Sequence, residues 1–183
     1  MQAPKTFTQA GPKRTSVAFG AIAAATVGAS VASVFGVRIN TSYSLPMGLY
    51  MRTSDPRASL IEFCPEGRYA VESSERGYRT GGFCPDGAVP LLKPVVAKPG
   101  DTVEMSADGI AVNGQLLAHT APVAKDRLGR RLESWPNGRY TVTEGTVWVA
   151  SSYNRGSYDS RYMGPIPTRL IRSRLKPLWT FQR

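Results

Sequence analysis

A chain of 183 residues allows one domain plus an appendage, because domains commonly hold about 100 to 200 residues. With 42% hydrophobic and 20% charged residues, the composition supports a buried core and excludes a wholly disordered chain. The net charge of +10 attracts polyanions, but no zinc-finger spacing, P-loop or RNP-like aromatic motif indicates nucleic acid. We therefore predict no nucleic-acid partner and interpret the cations as solvated surface and as attraction to anionic lipid headgroups.

Residues 15–37 form an uncharged, mostly apolar stretch with basic residues on both sides. As a helix, this stretch is long enough to cross a hydrocarbon core of about 30 Å. We expect a transmembrane signal-anchor, with residues 1–14 as a cytoplasmic basic tail and residues 38–183 on the opposite side of the membrane. Two alternatives stay open: a cleaved signal peptide, because residues 30–32 (SVA) resemble a small-x-small processing site, and a helix in a soluble core.

After residue 38 the pattern changes to short β-prone runs separated by turn signals, which is typical of an all-β domain. Asp108-Gly109 and Asn113-Gly114 predict a tight meander. The interval at about 60–87 is rich in Gly, Ser and charged residues, and we interpret it as an insertion on the core. Residues 119–138 are irregular and predict a loop that either shapes a binding surface or simply connects strands. We predict strands at residues 48–53, 68–72, 88–96, 101–106, 110–113, 140–143, 146–151 and 170–181, and no long helix.

The two cysteines, Cys64 and Cys84, each stand in a Phe-Cys-Pro tripeptide. In an exported domain such a pair predicts a disulfide, worth roughly 3 kcal/mol by loop closure. Free structural thiols are the alternative. Two thiols and one histidine make a poor zinc site, so we predict neither a metal nor a cofactor.

Familiar catalytic arrangements are mostly missing from the sequence. There is no HExxH, no GxSxG and no paired-carboxylate motif. A Ser-His-Asp triad would have to use His119, the only histidine, and no orienting group is evident near it in sequence. A surface or core histidine is therefore the favoured interpretation.

Three other segments carry candidate chemistry. Residues 40–50 (NTSYSLPMGLY) contain Ser44, followed by Pro, Gly and Tyr at every second position. Residues 91–101 (LLKPVVAKPGD) place Lys93 among apolar residues, eight positions before the aspartate of a Pro-Gly-Asp turn. Residues 151–167 (SSYNRGSYDSRYMGPIP) hold an Asp-Ser-Arg-Tyr sequence.

Together these segments resemble the signal peptidase I family of serine/lysine peptidases. The first matches the Ser-x-Pro-x-Gly-x-Tyr form of its conjugative transfer branch, called TraF, and not the housekeeping form Ser-Met-x-Pro. The second is similar to the lysine box of the family. The third is similar to its GDNRDNSxDSRYWG box with one residue omitted and the initial Gly-Asp replaced by Ser152-Tyr153. The resemblance implies a mainly β fold: a signal peptidase-like all-β catalytic domain preceded by one N-terminal transmembrane or signal helix.

The resemblance also implies that Ser44 is the nucleophile and Lys93 its general base. A lysine accepts a proton only when neutral, so its usual pKa near 10.4 must fall, which desolvation by apolar neighbours achieves. Lys98 is the rival base. Being five positions from Lys93, it should point to the other face of a regular strand.

Further supporting residues are carried over from the family. The Ser44 amide and the Ser42 hydroxyl would bind the oxyanion, although Ser42 could equally be a turn or strand-edge serine. Ser157 would orient the lysine. Asp159 would support the site, and an extended backbone would put it on the same face as Arg161 as an ion pair.

By resemblance, the chain is a serine endopeptidase that processes exported precursors in the bacterial inner membrane with a periplasmic catalytic domain, or in the periplasm if the N-terminal segment is cleaved. The implied partners are a conjugative pilin precursor, membrane lipid and pilus assembly proteins. Hydrolysis of the acyl-enzyme and cyclisation by the amino terminus of the substrate stay open. Two alternatives are a non-catalytic, membrane-anchored β module of a pilus or secretion complex, and a periplasmic acyltransferase or esterase that uses His119.

Overall fold

The computed structural model describes residues 36–181, which form a mainly β fold. The predicted tail at 1–14 and nearly all of the predicted apolar segment at 15–37 lie outside these residues. No helix in the described part has the length and apolar character needed to cross a bilayer, including the short 3-10 helix Thr168–Leu170. The strands are β1 Val37–Asn40, β2 Met47–Thr53, β3 Leu60–Phe63, β4 Leu91–Ala97, β5 Thr102–Ser106, β6 Gly109–Val112, β7 Gln115–Leu116, β8 Gly138–Thr141, β9 Thr146–Val149, β10 Ile166–Pro167 and β11 Ile171–Phe181, and the helices are α1 Gly67–Glu75 and α2 Ser160–Met163.

The strands form two sheets. A seven-stranded sheet has the order β1-β2-β11-β3-β4-β9-β10, and a four-stranded sheet has the order β7-β6-β5-β8. The long strand β11 pairs antiparallel with both β2 and β3, so Arg174 lies opposite Thr53 on one side and Ile61 on the other. Next to β3, strand β4 places Lys93 directly opposite Ile61. Both candidate-site strands, β2 and β4, are therefore fixed by pairing to a common sheet.

Three apolar clusters pack around these sheets, and single strands contribute to two of them because neighbouring side chains point to opposite faces. In β9, Val147 and Val149 pack in the first cluster, while Trp148 between them packs in the second. In β4, Leu91 belongs to the first cluster and Leu92 to the third. Strands β4 and β9 thereby connect the cores of the molecule.

The predicted meander is confirmed. Strand β5 pairs with β6 and β6 with β7, and the turn between β6 and β7 is Asn113-Gly114. Both turn residues have positive φ, 50° and 82°, as expected for the Asn-Gly hairpin signal. Residues 119–137 contain no helix or strand, in agreement with the predicted loop, and only an isolated bridge joins Lys125 to Arg131.

The strand predicted at residues 68–72 is wrong, because these residues lie in α1. Tyr and Val favoured a strand locally, but the tertiary contacts favour a helix. Ala70 and Ser73, three residues apart, face inward, and the buried Arg79 guanidinium donates to the Ala70 carbonyl and to the Ser73 hydroxyl, each at 2.8 Å.

The interval interpreted as an insertion begins with a strand of the main sheet. Strand β3, inside that interval, lies between β11 and β4, and its last three residues are buried. The predicted disulfide is confirmed: Cys64, directly after β3, is bonded to Cys84. The bond closes the loop that holds α1.

Candidate active site

Ser44 lies in the connection between β1 and β2, which we call the serine loop (residues 41–46). The pattern Ser-x-Pro-x-Gly-x-Tyr fixes this loop to the sheet. The hydroxyl of buried Tyr50 donates to the Pro46 carbonyl at 2.6 Å. Gly48 has φ of +148°, and a Cβ there would lie 2.2 Å from the Trp179 carbonyl oxygen. Only glycine permits this approach of β11, so the motif holds the loop in place.

Lys93 is 3% exposed, and its amine reaches the serine loop. The Nζ atom lies 2.5 Å from Ser44 Oγ and 2.9 Å from Ser157 Oγ. The structure thus brings together three residues that are 49 and 64 positions apart in sequence. Burial lowers the pKa of Lys93 from 10.5 to about 8, while the charge of Asp159 raises it and that of Arg161 lowers it further. A substantial neutral fraction near pH 8 follows.

Lys98, the rival to Lys93, lies exposed just after the end of β4. Its backbone N–H donates to the Asp101 carboxylate at 2.9 Å in the Pro-Gly-Asp turn.

Asp159 and Arg161 form a fully buried ion pair, but the backbone is extended only at Asp159 and enters helix α2 at Ser160, unlike the extended stretch that the sequence interpretation supposed. Asp159 caps α2 by accepting the Arg161 N–H at 3.2 Å, and its Oδ1 also accepts from Arg161 Nε at 2.8 Å. The guanidinium further donates to the carbonyls of Arg155 at 2.8 Å and Ser157 at 3.0 Å. The pair therefore shapes the turn that presents the Ser157 hydroxyl to Lys93.

Sequence reasoning missed two residues that hold the serine loop against this turn. The hydroxyl of buried Ser151 donates to the Ser44 carbonyl, and the Ser151 N–H donates to Asp159 Oδ2 at 3.0 Å. The side-chain amide of Asn154 donates to the Tyr43 carbonyl at 3.0 Å. The two contacts with the serine loop join residues 107 and 111 positions apart, so no local sequence pattern predicts them.

Asn40, at the end of β1, is the third residue that was missed. Its side chain is buried and makes hydrogen bonds to both sides of the serine loop. One of these is the Asx-turn bond from the Ser42 N–H, at 3.2 Å. This bond type was the available signal, since Asn commonly bonds to the backbone two residues on.

Of the two predicted oxyanion donors, one is already hydrogen-bonded and the other is not. The Ser42 hydroxyl donates to Asn40 Oδ1 at 2.8 Å. The Ser44 N–H has no hydrogen-bond acceptor within residues 36–181 and is available to a ligand. The local geometry thus offers one open backbone donor next to the Ser44 hydroxyl.

His119 is not brought together with Ser44. It is exposed, has φ of +58°, and its Nδ1 lies 2.8 Å from the Ser152 carbonyl oxygen. Its own carbonyl accepts from Arg161 at 3.2 Å. Its contacts are those of a turn residue.

A cavity of about 820 Å³ opens onto the Ser44 and Lys93 side chains. Its walls come from the serine loop, the start of β4, residues 76–80 after α1, and the loop at 123–132. The segment closed by the disulfide and the irregular loop at 119–138 therefore both line the cavity. For the irregular loop, the sequence analysis left open whether it shapes a binding surface or only connects strands. A hydroxyl beside a partly neutral amine in such a cavity is an arrangement suited to acyl transfer.

The chain belongs to the signal peptidase family, peptidase S26, whose family model matches residues 15–179. It is therefore a serine peptidase, a hydrolase that acts on a protein substrate. Among its relatives is the plasmid transfer protein TraF of Escherichia coli, 36% identical over 149 residues that cover 80% of this chain and 84% of the relative.

A second relative is the conjugal transfer protein TraF of Agrobacterium fabrum, 34% identical over 92% of this chain and 98% of the relative. Among solved structures, a signal peptidase I from Enterococcus faecalis aligns with a TM-score of 0.36 and 21% identity, over 68% of this chain and 99% of that chain.

Proposed function

We propose that the chain is a Ser/Lys-dyad endopeptidase in which Ser44 is the nucleophile and Lys93 the general base. The observation that carries this proposal is the 2.5 Å contact between Lys93 Nζ and Ser44 Oγ, two residues that line the cavity. Burial supplies the chemical condition, because a lysine with a pKa of about 8 has a neutral fraction able to accept a proton.

The reaction begins when Ser44 Oγ forms a bond to the scissile carbonyl carbon and its proton passes to Lys93 Nζ. The carbonyl oxygen becomes an oxyanion, which the Ser44 N–H and the Ser42 hydroxyl stabilise. When the carbon–nitrogen bond breaks, the leaving amine takes the proton from Lys93. An ester between Ser44 and the acyl part of the substrate results, and the amine of Lys93 is neutral again.

Ser157 and the ion pair of Asp159 and Arg161 support this dyad. The Ser157 hydroxyl, 2.9 Å from Nζ, fixes the direction of the Lys93 side chain. The buried carboxylate of Asp159 and the guanidinium of Arg161 hold the turn that carries Ser157. A positioned amine loses less freedom when it reaches the transition state.

The substrate is an exported precursor. The relatives are named for plasmid and conjugal transfer, and we propose a conjugative pilin precursor, which the resemblance of the Ser44 motif to the TraF branch implies. Water or the amino terminus of the substrate then attacks the Ser44 ester, giving a linear or a cyclic product. The catalytic domain acts on the periplasmic side of the bacterial inner membrane. Ser44 lies seven positions after Val37, a reach of at most about 25 Å, so an anchor at 15–37 would keep the site near the lipid surface.

The test is co-expression of the full chain with a pilin precursor, followed by mass spectrometry of the precursor. We expect the unaltered chain to shorten the precursor, and Ser44→Ala and Lys93→Ala each to abolish processing. The matched control is Lys98→Ala, which should process normally. A product lower in mass by one water than the linear fragment indicates cyclisation.

If the precursor is still processed in each of the variants Ser44→Ala and Lys93→Ala, the dyad proposal is wrong and a non-catalytic β module is favoured. His119→Ala is the control for the esterase alternative, and we expect it to leave processing unchanged.

A further inference from the structure

Asn40 makes five hydrogen-bond contacts from one buried amide, and because Nδ2 has two protons, at least two of its three acceptors share one proton. Its Nδ2 donates to the carbonyls of Ser42 at 3.2 Å, Leu45 at 3.4 Å and Pro46 at 3.1 Å. Its Oδ1 accepts from the Ser42 N–H at 3.2 Å and from the Ser42 hydroxyl at 2.8 Å. With 6% of its surface exposed, Asn40 gives nearly all of its hydrogen-bonding capacity to the serine loop.

The hydroxyl contact fixes the Ser42 side chain in particular. A hydroxyl has one proton, and in the free protein that of Ser42 points to Asn40 Oδ1. This bond holds Ser42 Oγ in a defined rotamer beside Ser44, from which the hydroxyl can turn to an oxyanion. Without Asn40, both the rotamer and the path of the loop lose this support.

Asn154 acts on the other oxyanion donor. The peptide unit between Tyr43 and Ser44 is planar and trans, so its C=O and N–H point in opposite directions. Asn154 Nδ2 binds the Tyr43 carbonyl at 3.0 Å and thereby sets the direction of the Ser44 N–H. The Asn154 side chain is itself fixed, because its Oδ1 accepts from the Gly156 N–H at 2.8 Å.

We propose that the side-chain amides of Asn40 and Asn154 are the positioning groups of the oxyanion site, Asn40 through the Ser42 hydroxyl and Asn154 through the Ser44 N–H. This inference rests on the proposed function. Neither amide contacts the reacting atoms. Each instead fixes the position of one donor atom before substrate binds. Asn154 fixes the Ser44 N–H, and Asn40 fixes Ser42 Oγ, so that only the hydroxyl proton has to turn from Asn40 Oδ1 to the oxyanion. Donor atoms placed in advance are worth more than donors that must be moved during the reaction.

Because Asn40 acts through Ser42 and Asn154 acts through the Ser44 N–H, double variants should distinguish them. Changes at two residues that act through the same donor are not additive, whereas changes at independent residues are. The assay measures kcat and KM for cleavage of a precursor-derived peptide by the full chain. We expect Asn40→Ala and Asn154→Ala each to lower kcat by about tenfold or more and to change KM less than threefold, since a lost oxyanion donor typically costs about 10²- to 10³-fold. The matched control is Asn137→Ala, an exposed asparagine before β8, which should leave kcat unchanged.

The double variants separate positioning from simple loss of structure. In a Ser42→Ala background, Asn40→Ala should lower kcat by a smaller factor than it does in the unaltered chain, because the hydroxyl is gone and only the support of the loop backbone is lost. Asn154→Ala should keep its full effect there, because it acts on the Ser44 N–H. The apparent pKa in the pH profile of kcat/KM should stay the same in all of these variants, since the surroundings of Lys93 are unchanged.

Several outcomes would overturn the inference. A kcat reduced less than threefold by both single changes would do so, as would an undiminished effect of Asn40→Ala in the Ser42→Ala background. If Asn40→Ala fails to fold, Asn40→Asp and the partly exposed Asn154 carry the test. Failure of the proposed function is a different result, in which the unaltered chain does not cleave or Ser44→Ala still does.

Discussion

At the residue scale, the site contains two buried cations with opposite surroundings. Burial opposes the charge of Arg161, but the hydrogen bond and the charge of the Asp159 carboxylate raise its pKa. Lys93 meets two neutral hydroxyls, so burial dominates and lowers its pKa to about 8. One cation therefore remains charged and shapes the loop, while the other is able to lose its proton.

The first prediction concerns pH. The base must be neutral, so kcat/KM should rise about tenfold per pH unit below a midpoint near 8 and level off above it. The measurement is a pH profile of peptide cleavage, with Lys98→Met as a control that leaves the midpoint in place. A midpoint near the unperturbed value of about 10.4 would contradict the role of burial.

At the element scale, the serine loop depends on the close contact between β2 and β11. Strand β11 pairs with β2 from Met47 to Thr53, and Gly48 lies where the two backbones come closest. The position of Ser44 therefore depends on a strand near the other end of the sequence. Only the sheet brings the two segments together.

We predict that Gly48→Ala destabilises the protein by about 3 kcal/mol, because the new Cβ meets the Trp179 carbonyl and adopts an unfavourable φ. Gly129→Ala is the matched control. Gly129 also has positive φ, +77°, but nothing lies within 4 Å of its Cβ position, so a cost of only about 1 kcal/mol is expected. Urea unfolding measures both. Equal costs would show that the contact with β11 is unimportant.

The disulfide between Cys64 and Cys84 belongs to the same scale, since it closes the segment that lines one side of the cavity. We predict that Cys64→Ser with Cys84→Ser lowers the free energy of unfolding by roughly 3 kcal/mol, by the loop-closure argument. Urea unfolding with and without dithiothreitol tests this. The reductant should destabilise the unaltered chain and leave the double variant unaffected. A double variant as stable as the unaltered chain would contradict the prediction.

At the scale of the whole described domain, the two sheets share strand β9 in their cores. Val147 and Val149 pack in one cluster while Trp148, 1% exposed, packs in the other. A strand that belongs to two clusters links their stability, because neither cluster can lose it alone. The two sheets should therefore behave as one cooperative unit.

We predict a single unfolding transition in urea, with coincident curves from tryptophan fluorescence and far-ultraviolet circular dichroism. Trp148→Ala should lower the free energy of unfolding by about 3 to 5 kcal/mol and still give one transition. The control is Trp179→Ala, which removes a 60% exposed side chain and should cost much less. Two separated transitions in the unaltered chain would contradict the shared core.

Much of the fold was predictable wherever local sequence and local structure agree. The turn at Asn113-Gly114 needs positive φ, which Asn and Gly adopt readily, and the meander followed from it. The same local logic failed at residues 68–72. These residues form a helix despite their β propensity, because Ala70 and Ser73 face inward and the hydrogen bonds from Arg79 to them stabilise the helix. Propensity is outweighed when tertiary contacts are many.

The amino-acid sequence by itself determined which groups could do chemistry: a serine in a Ser-x-Pro-x-Gly-x-Tyr pattern, an apolar stretch around Lys93, and a paired cysteine motif. Only the tertiary structure decided how those groups are held. Asn154 and Ser151 reach the serine loop across more than 100 positions, and Asp159 meets Arg161 through a helix cap and not along a strand. The physical reason is that hydrogen bonds and burial depend on distance in space, which the sequence specifies only through the complete fold.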